Sequence, residues 1–394
     1  MIALRHAVST LALSLSLSAV GAFVILGSTS PAHAASSGPA VADPIGGAQL
    51  AEPGIVVNLE PGVPAPPAMP GTSFLIADMD TGQILAARAP HTRSLPASAL
   101  KALTALTLIP RLDASSRIMV EPEDVQVEGT RIGILAGTAY GVPTLFQGLL
   151  LASGNDAANT LARANQSVDV TLTQMNATAA DLGAFDTVAK DPSGLDKAGQ
   201  TSSAYDLALI GRAAMKLPDF RRYVSTKKAS VPGGRSSDGT MLPSFDINNH
   251  NRLLYNYAGA IGIKNGYTIA ARQTFIAAAT RAGKTYIVTE MASPDGSWRP
   301  NAALLDWAFA HGAELTPIGR LVEPGTVTRP GLTSASGDGS SEGASRAAPG
   351  AQALGGPTVV RLSGLQPWVG AAGLLSGMAL VGAFAARSIA GRRS

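Results

Sequence analysis

Apolar residues in this chain change their rhythm several times, and each change marks a boundary. Arg5 and His6 open onto a long apolar run over 11–26, which closes on Ala32-His33-Ala34. A basic start, an apolar middle and a small-x-small end are the layout of a secretory signal peptide. Residues 1–34 are therefore expected to direct export. A second apolar run, over 368–386, contains no charge and no proline, and Arg387, Arg392 and Arg393 follow it. A helix of that length spans roughly 30 Å, enough to cross a bilayer core. Its glycines weaken it as a soluble helix but suit a membrane helix. Positive residues stay on the cytoplasmic side. The pattern predicts a transmembrane helix over 367–387 and a cytoplasmic basic tail over 388–394. Everything between the two apolar runs then lies outside the cell.

Between the ends the pattern divides again. Residues 35–70 are rich in Pro, Gly, Ala and Ser and read as an exposed stalk. Residues 317–366 are similar and read as a low-complexity tether, too poor in apolar side chains to offset the entropy of ordering. A folded domain is expected over 71–316. Two hairpins bracket it. Apolar runs over 73–78 and 83–87 flank Asp80-Thr81-Gly82, and runs over 274–279 and 285–290 flank Arg281-Ala282-Gly283. Helical spacing dominates the middle, at 98–109, about 144–164, 169–183 and 203–216, and returns at 301–309. Strands at both ends with helices between predict an α/β (α+β) fold. Its parts are an antiparallel sheet, a helical lobe and a cleft at their junction.

Charge and composition remove several function classes. The net charge is +3, but Arg5, Arg387, Arg392 and Arg393 sit in the targeting ends, and without them 26 basic residues face 27 acidic ones. Nothing in that balance points to nucleic acid. The chain has no cysteine, which excludes disulfides, thiol catalysis and a lipid-modified N-terminal cysteine.

Three short motifs carry candidate chemistry. The first is Ser98-Ala99-Leu100-Lys101, after Pro96-Ala97 and at the start of a predicted helix. Residues three apart share a helix face, so the two side chains can meet. A serine hydroxyl needs a base, and a lysine serves only if its pKa falls. Burial, a second cation and the positive end of the helix would all lower it. Alone the motif is weak: Ser225-Thr226-Lys227-Lys228 also matches it, in a polar stretch that reads as surface. A capping serine beside a solvated lysine explains Ser98 and Lys101 as well.

The second motif is Ser153-Gly154-Asn155, where an apolar helix breaks and resumes. Asn155 or Asp156 as a helix cap is the plain alternative. The third is Lys264-Asn265-Gly266-Tyr267-Thr268. Asn265-Gly266 between strand-like runs equally signals a hairpin turn. On the functional reading, Lys264 ends a strand lining the cleft and attracts a substrate carboxylate. Lys197-Ala198-Gly199 has the same spacing but precedes a polar loop.

Taken in order, Ser-x-x-Lys, Ser-x-Asn and Lys-x-Gly reinforce one another. With them stand Asp78-Met79-Asp80-Thr81-Gly82-Gln83, Asp191-Pro192-Ser193-Gly194-Leu195 and Asn248-Asn249-His250-Asn251 with Leu253-Leu254. On these stretches, over about 71–316, the chain resembles the serine D-alanyl-D-alanine carboxypeptidases (peptidase S11-like), a group of low-molecular-mass penicillin-binding proteins. The resemblance implies a β-lactamase-like fold and removal of the terminal D-alanine from peptidoglycan stem pentapeptides. β-Lactam antibiotics would be inhibitors. It implies Ser98 as the acylated nucleophile, Lys101 as its base and Ser153 as a proton relay. Asn155 would bind the substrate peptide group and Lys264 its carboxylate. Gly266, Tyr267 and Thr268 would line the substrate, with an oxyanion hole from the Ser98 and Tyr267 amides. No metal, cofactor or nucleic acid is implied; the partners are the stem peptide and, through the C-terminal helix, the membrane.

The sequence departs from the family in three places. Asn265 stands where Thr is usual, so Thr268 is expected to supply the missing hydroxyl, or the site to bind more weakly. Only low-complexity sequence follows the domain, where many relatives carry a β-rich one. The anchor reads as a spanning helix rather than an amphipathic one. Two other readings compete. A β-lactamase of class A needs a glutamate between the second and third motifs, and this chain has none from 129 to 289. A non-catalytic peptidoglycan- or penicillin-binding protein would be expected to lose Ser98 or Lys101, and both are present.

Overall fold

Strand Ser73–Asp78 is buried at every position. Sheets with one wet face alternate apolar and polar residues; a run without alternation needs cover on both faces. The computed structural model, which describes residues 43–236 and 238–329, provides that cover. Successive side chains of the strand divide between two cores. Phe74 and Ile76 join Leu304, Leu305 and Trp307 on one side; Leu75 and Ala77 join Leu207, Ile210 and the helical lobe on the other.

The main sheet is antiparallel and seven-stranded. Its strands are β1 (Ile55–Val57), β2 (Ser73–Asp78), β3 (Gln83–Arg88), β8 (Ala260–Thr268), β9 (Arg272–Arg281), β10 (Lys284–Ser293) and β11 (Gly319–Arg320). Their order is β1-β3-β2-β10-β9-β8, with β11 also paired to β3. Two ribbons, β4 (Arg117–Met119) with β5 (Ala139–Gly141) and β6 (Lys228–Val231) with β7 (Phe245–Asn248), decorate the lobe. The lobe helices are α1 (Lys101–Leu108), α2 (Pro122–Val125), α3 (Val142–Leu150), α4 (Asn155–Ala164), α5 (Val168–Asp181), α6 (Ala204–Ala214) and α7 (Pro218–Ser225). A short α8 (Leu253–Asn256) precedes β8, and α9 (Arg299–His311) covers the outer face of the sheet. Ser167 and Ser203 accept the Val170 and Asp206 amides and so cap α5 and α6.

The predicted fold class and both hairpins match this architecture. The boundaries of the folded unit do not. Residues 43–70, expected as a stalk, lie on the domain: β1 pairs with β3, and Leu50, Val56 and Met69 are buried. The start of the expected tether does the same, through β11 and the buried Leu321. Proline and glycine made both segments read as linkers, yet a few apolar residues against an open sheet edge suffice to dock them. The expected signal peptide (1–34), membrane helix (367–387) and cytoplasmic tail (388–394) lie outside the described residues. Among the described residues no helix is long and apolar enough to cross a membrane.

Candidate active site

The nucleophile candidate sits where a tight turn feeds a buried helix. Ala97–Leu100 form one turn of 3-10 helix, and α1 continues from Lys101. Thr274 on β9 donates its hydroxyl to Pro96 O at 2.8 Å and ties this turn to the sheet. Gly194 crosses so close that a Cβ there would lie 2.0 Å from Ala97 O, and its φ of +83° also requires glycine.

Lys101 is fully buried, and its Nζ has three partners. They are Ser98 Oγ at 2.8 Å, Asn155 Oδ1 at 2.7 Å and Ser193 O at 2.6 Å. The Asn155 amide is oriented by its other end, where Nδ2 donates to Glu128 O at 2.7 Å. Burial, reinforced by the charge of Lys264, holds the Lys101 ammonium well below its ordinary pKa, against the pull of Asp191 and Asp156. Asn155 and Ser193 offer only acceptors to the lysine; Ser98 offers a hydroxyl. A neutral amine satisfies all three by donating twice and keeping its lone pair toward the serine proton.

Lys264 lies on β8, the edge strand beside the 3-10 turn, and is also buried. Burial pushes its pKa down to about 7. Among the described residues its Nζ makes one hydrogen bond, to Asn265 O at 2.6 Å. Gly266 is pressed against the nucleophile: a Cβ would meet Ser98 N at 2.5 Å, Ala99 N at 2.8 Å and Thr274 Oγ1 at 2.8 Å. Asn265-Gly266 is therefore inside a strand and not a hairpin turn; β8 turns into β9 only after Thr268. The Ser98 amide makes no backbone hydrogen bond among the described residues. Tyr267, the residue after Gly266, is 64% exposed.

Ser153 occupies a left-handed kink (φ 61°) between α3 and α4, and its hydroxyl has no hydrogen-bond partner among the described residues. Asp156 does not cap α4, whose cap position is Gly154. It accepts the Ile132 and Gly133 amides at 3.0 and 2.9 Å instead. Those bonds, with Asn155 N to Thr130 O at 2.7 Å, draw the 128–133 loop to the site. Thr268 is not a free hydroxyl standing in for the one missing at Asn265. It donates to Asp196 Oδ1 at 3.0 Å and accepts from Ala271 N at 2.9 Å. The decoy Ser225 donates to Arg221 O, and Lys228 pairs with Asp246 on the surface.

Two contributors escaped the motif reading. Ser193 O and Glu128 O act as backbone carbonyls, and a carbonyl has no residue-type signature. The loop that presents Ser193 entered the sequence reading only as one of the stretches that carry the family resemblance. Asp191 Oδ1 accepts the Ser193 and Leu195 amides at 2.8 and 3.3 Å and also the Ser193 hydroxyl, which fixes the carbonyl on Lys101.

An antiparallel sheet, a helical lobe and a serine held against a buried, depressed lysine at their junction define a serine hydrolase of the acyl-transfer type. Comparison with known proteins narrows this. A family model described as D-alanyl-D-alanine carboxypeptidase (peptidase S11) matches residues 61–294. The D-alanyl-D-alanine carboxypeptidase DacB2 of Mycobacterium tuberculosis is 43% identical over 255 residues, covering 63% of this chain and 85% of the relative. The D-alanyl-D-alanine carboxypeptidase of Streptomyces sp. K15 is 32% identical over 245 residues, 58% of this chain and 84% of the relative. A crystal structure of a D-alanyl-D-alanine carboxypeptidase from Mycobacterium tuberculosis superposes with a TM-score of 0.62 at 39% identity, over 67% of this chain and 99% of the other. The chain belongs to the peptidase S11 family of D-alanyl-D-alanine carboxypeptidases.

Proposed function

We propose that Ser98 is the nucleophile of this D-alanyl-D-alanine carboxypeptidase and that its substrates are peptidoglycan stem pentapeptides. The observation that carries the reading is the three-way coordination of Lys101 Nζ. The neutral amine takes the Ser98 proton as Oγ attacks the penultimate D-alanine carbonyl. The developing oxyanion lies between the Ser98 and Tyr267 amides, whose spacing depends on the missing Cβ of Gly266. Asn155 hydrogen-bonds the substrate peptide group, Lys264 faces the terminal carboxylate, and Ser153 passes a proton to the leaving amine. Carbon–nitrogen cleavage releases D-alanine and leaves an ester on Ser98. Water, deprotonated by Lys101, then hydrolyses the ester and restores the serine. Thr268, committed to Asp196, braces the end of the cleft. β-Lactams acylate the same oxygen.

The experiment is mass spectrometry of the full chain in neutral detergent. A β-lactam should add one acyl group, mapped to the Ser98 peptide, and a pentapeptide ending in D-Ala-D-Ala should lose one D-alanine. An adduct on any other residue, or intact pentapeptide, would refute the assignment.

Two further outcomes are expected of the same site. Gly266→Ala would push β8 off the Ser98 amide and is expected to slow acylation about 10²–10³-fold, the cost of one oxyanion donor. Stopped-flow acylation by a chromogenic β-lactam measures it; an unchanged rate would separate Gly266 from the oxyanion site. The second concerns pH. Lys264 must be charged to hold a carboxylate, and its pKa is about 7. Lys101 must be neutral, so kcat/KM rises as Lys101 deprotonates and falls again as Lys264 does. An alkaline limb near that value is expected for a D-Ala-D-Ala substrate and not for its C-terminal amide. Equal profiles for the two would remove Lys264 from carboxylate binding.

The proposal extends to the chain ends. Export by residues 1–34 and anchoring by 367–387 place the domain on the outer face of the membrane, as an enzyme acting on peptidoglycan requires. The apolar, uncharged run and the arginines after it support the anchor. A chain ending at residue 366 that still sediments with alkali-washed membranes would contradict it.

A further inference from the structure

Away from the catalytic cleft, a cavity of about 300 Å³ opens where the described chain begins and ends: Pro44 and Ile45 line one part of it and Arg329 another. Its wall concentrates hydrogen-bond donors. Arg93 Nη2 and Arg329 Nη2 each lie 3.3 Å from the same oxygen, the Phe185 carbonyl. Two guanidinium groups that share one acceptor sit within twice that distance of each other. Both bonds are long for N–H···O, so neither group is saturated by them. Arg93 also donates Nε to Asp186 Oδ1 at 3.0 Å. Arg329 makes no other hydrogen bond or ion pair among the described residues.

His91 lines the same wall. Its Nε2 is 3.0 Å from Ile45 O and its Nδ1 3.0 Å from Asp186 Oδ2. A carbonyl only accepts, so Nε2 carries a proton. Opposing charge is limited to two carboxyl groups. Burial works against ionised Asp186, but the hydrogen bonds and charges of His91 and Arg93 hold its pKa below the ordinary range. Asp206, deeper in the wall, is pushed up to about 7 by burial and by Asp186. Two exposed arginines thus face one full carboxylate and one partly ionised carboxyl group in a concave place. A larger cavity of about 570 Å³ also carries arginines, but there Arg212 is bound to Glu323 and Arg221 to the Met215 and Lys216 carbonyls.

We propose that the cavity between Ile45, Phe185 and Arg329 binds a phosphate group, with Arg93 and Arg329 as its paired donors. Guanidinium forks aimed at one point suit a tetrahedral anion with several acceptor oxygens better than a single carboxylate. Ile45 and Arg329, far apart in sequence, meet at this site. A phospholipid headgroup is one source of the phosphate, and a soluble phosphate the other. The lipid source rests on the proposed anchor; the site itself does not.

The test is isothermal titration of the full chain in a neutral detergent. The probes are inorganic phosphate, dihexanoyl phosphatidylglycerol and dihexanoyl phosphatidylcholine. At least one of the first two is expected to bind, more weakly as salt is raised. The Arg93→Ala/Arg329→Ala variant should weaken that binding by about tenfold or more, the loss of charge-assisted hydrogen bonds. Circular dichroism checks its fold. Arg329→Ala alone, at an exposed position, should weaken it several-fold even if the double variant unfolds. Binding of both anions means the phosphate alone is read; of phosphatidylglycerol only, the lipid headgroup; of inorganic phosphate only, a soluble ligand. Each supports the site. Binding of neither, or equal binding by wild type and the Arg329→Ala variant, overturns it. None of these readouts uses Ser98, so they stand apart from the catalytic reading.

Discussion

Ser98→Ala is expected to leave a folded protein that forms no covalent β-lactam adduct and releases D-alanine slower by on the order of 10⁴–10⁶-fold. The reason is local. The substitution deletes one oxygen, whose single hydrogen-bond partner among the described residues is Lys101 Nζ at 2.8 Å. The 3-10 turn stays tied to β9 through Thr274 and Pro96, and the two remaining partners of Lys101, Asn155 Oδ1 and Ser193 O, stay in place. Noncovalent binding should therefore survive while acyl transfer does not. Intact-mass spectrometry after long incubation reads the adduct, and chromatography reads D-alanine. A persistent adduct in the variant would mean that another hydroxyl, with Ser153 the first candidate, carries the acyl group.

Lys101→Met is expected to slow acylation by about 10²–10⁴-fold while the serine remains in position, because the loss is that of a general base. Methionine is close in length and fills the buried space, but it leaves Asn155 Oδ1 and Ser193 O without their donor. Each such orphan costs roughly 1–3 kcal/mol. Acylation by β-lactam and release of D-alanine should fall together, since both begin with the same proton transfer. Single-turnover rates over a range of pH separate this from a packing defect. The wild-type acid limb should vanish in the variant. If both rates survive, the proton must leave Ser98 by way of Ser153 and Lys264, and Lys101 would be a positioning residue.

The two lysines show why ordinary side-chain chemistry changes here. Lys264 sits beside Lys101, and each is buried to the point where its charge is expensive. One opposing cation and a low-dielectric wall depress Lys101, while Asp191 and Asp156 prevent the shift from going further. This balance depends on groups from α1, α4, β8 and the loop at 191–195, so no single motif determines it.

Much of the fold was readable from the chain because its cues are local. The β2–β3 and β9–β10 hairpins follow from apolar runs around Asp80-Thr81-Gly82 and Arg281-Ala282-Gly283, and the lobe helices from apolar residues at helical spacing. The three motifs were readable for the same reason: Ser98 and Lys101 are one helical turn apart, and no tertiary contact is needed to bring them together. The polar stretch around Ser225 marked the second Ser-x-x-Lys match as surface, and Lys228 does pair with Asp246 there.

Other features were invisible until distant segments met. Residues 43–70 read as a stalk because composition does not register one strand's worth of pairing with β3. Asn265-Gly266 signalled a turn, and only the ladder to β9 keeps it extended. Thr268 seemed available to substrate until Asp196, 72 residues away, was found to hold it. Ser193 O and Glu128 O contribute through the backbone, which every residue possesses. Local spacing thus determined most of the elements and singled out the candidate reactive side chains. Long-range packing alone decided which carbonyls surround Lys101, how dry it is and where its lone pair points, because desolvation and hydrogen-bond geometry are properties of the assembled cleft.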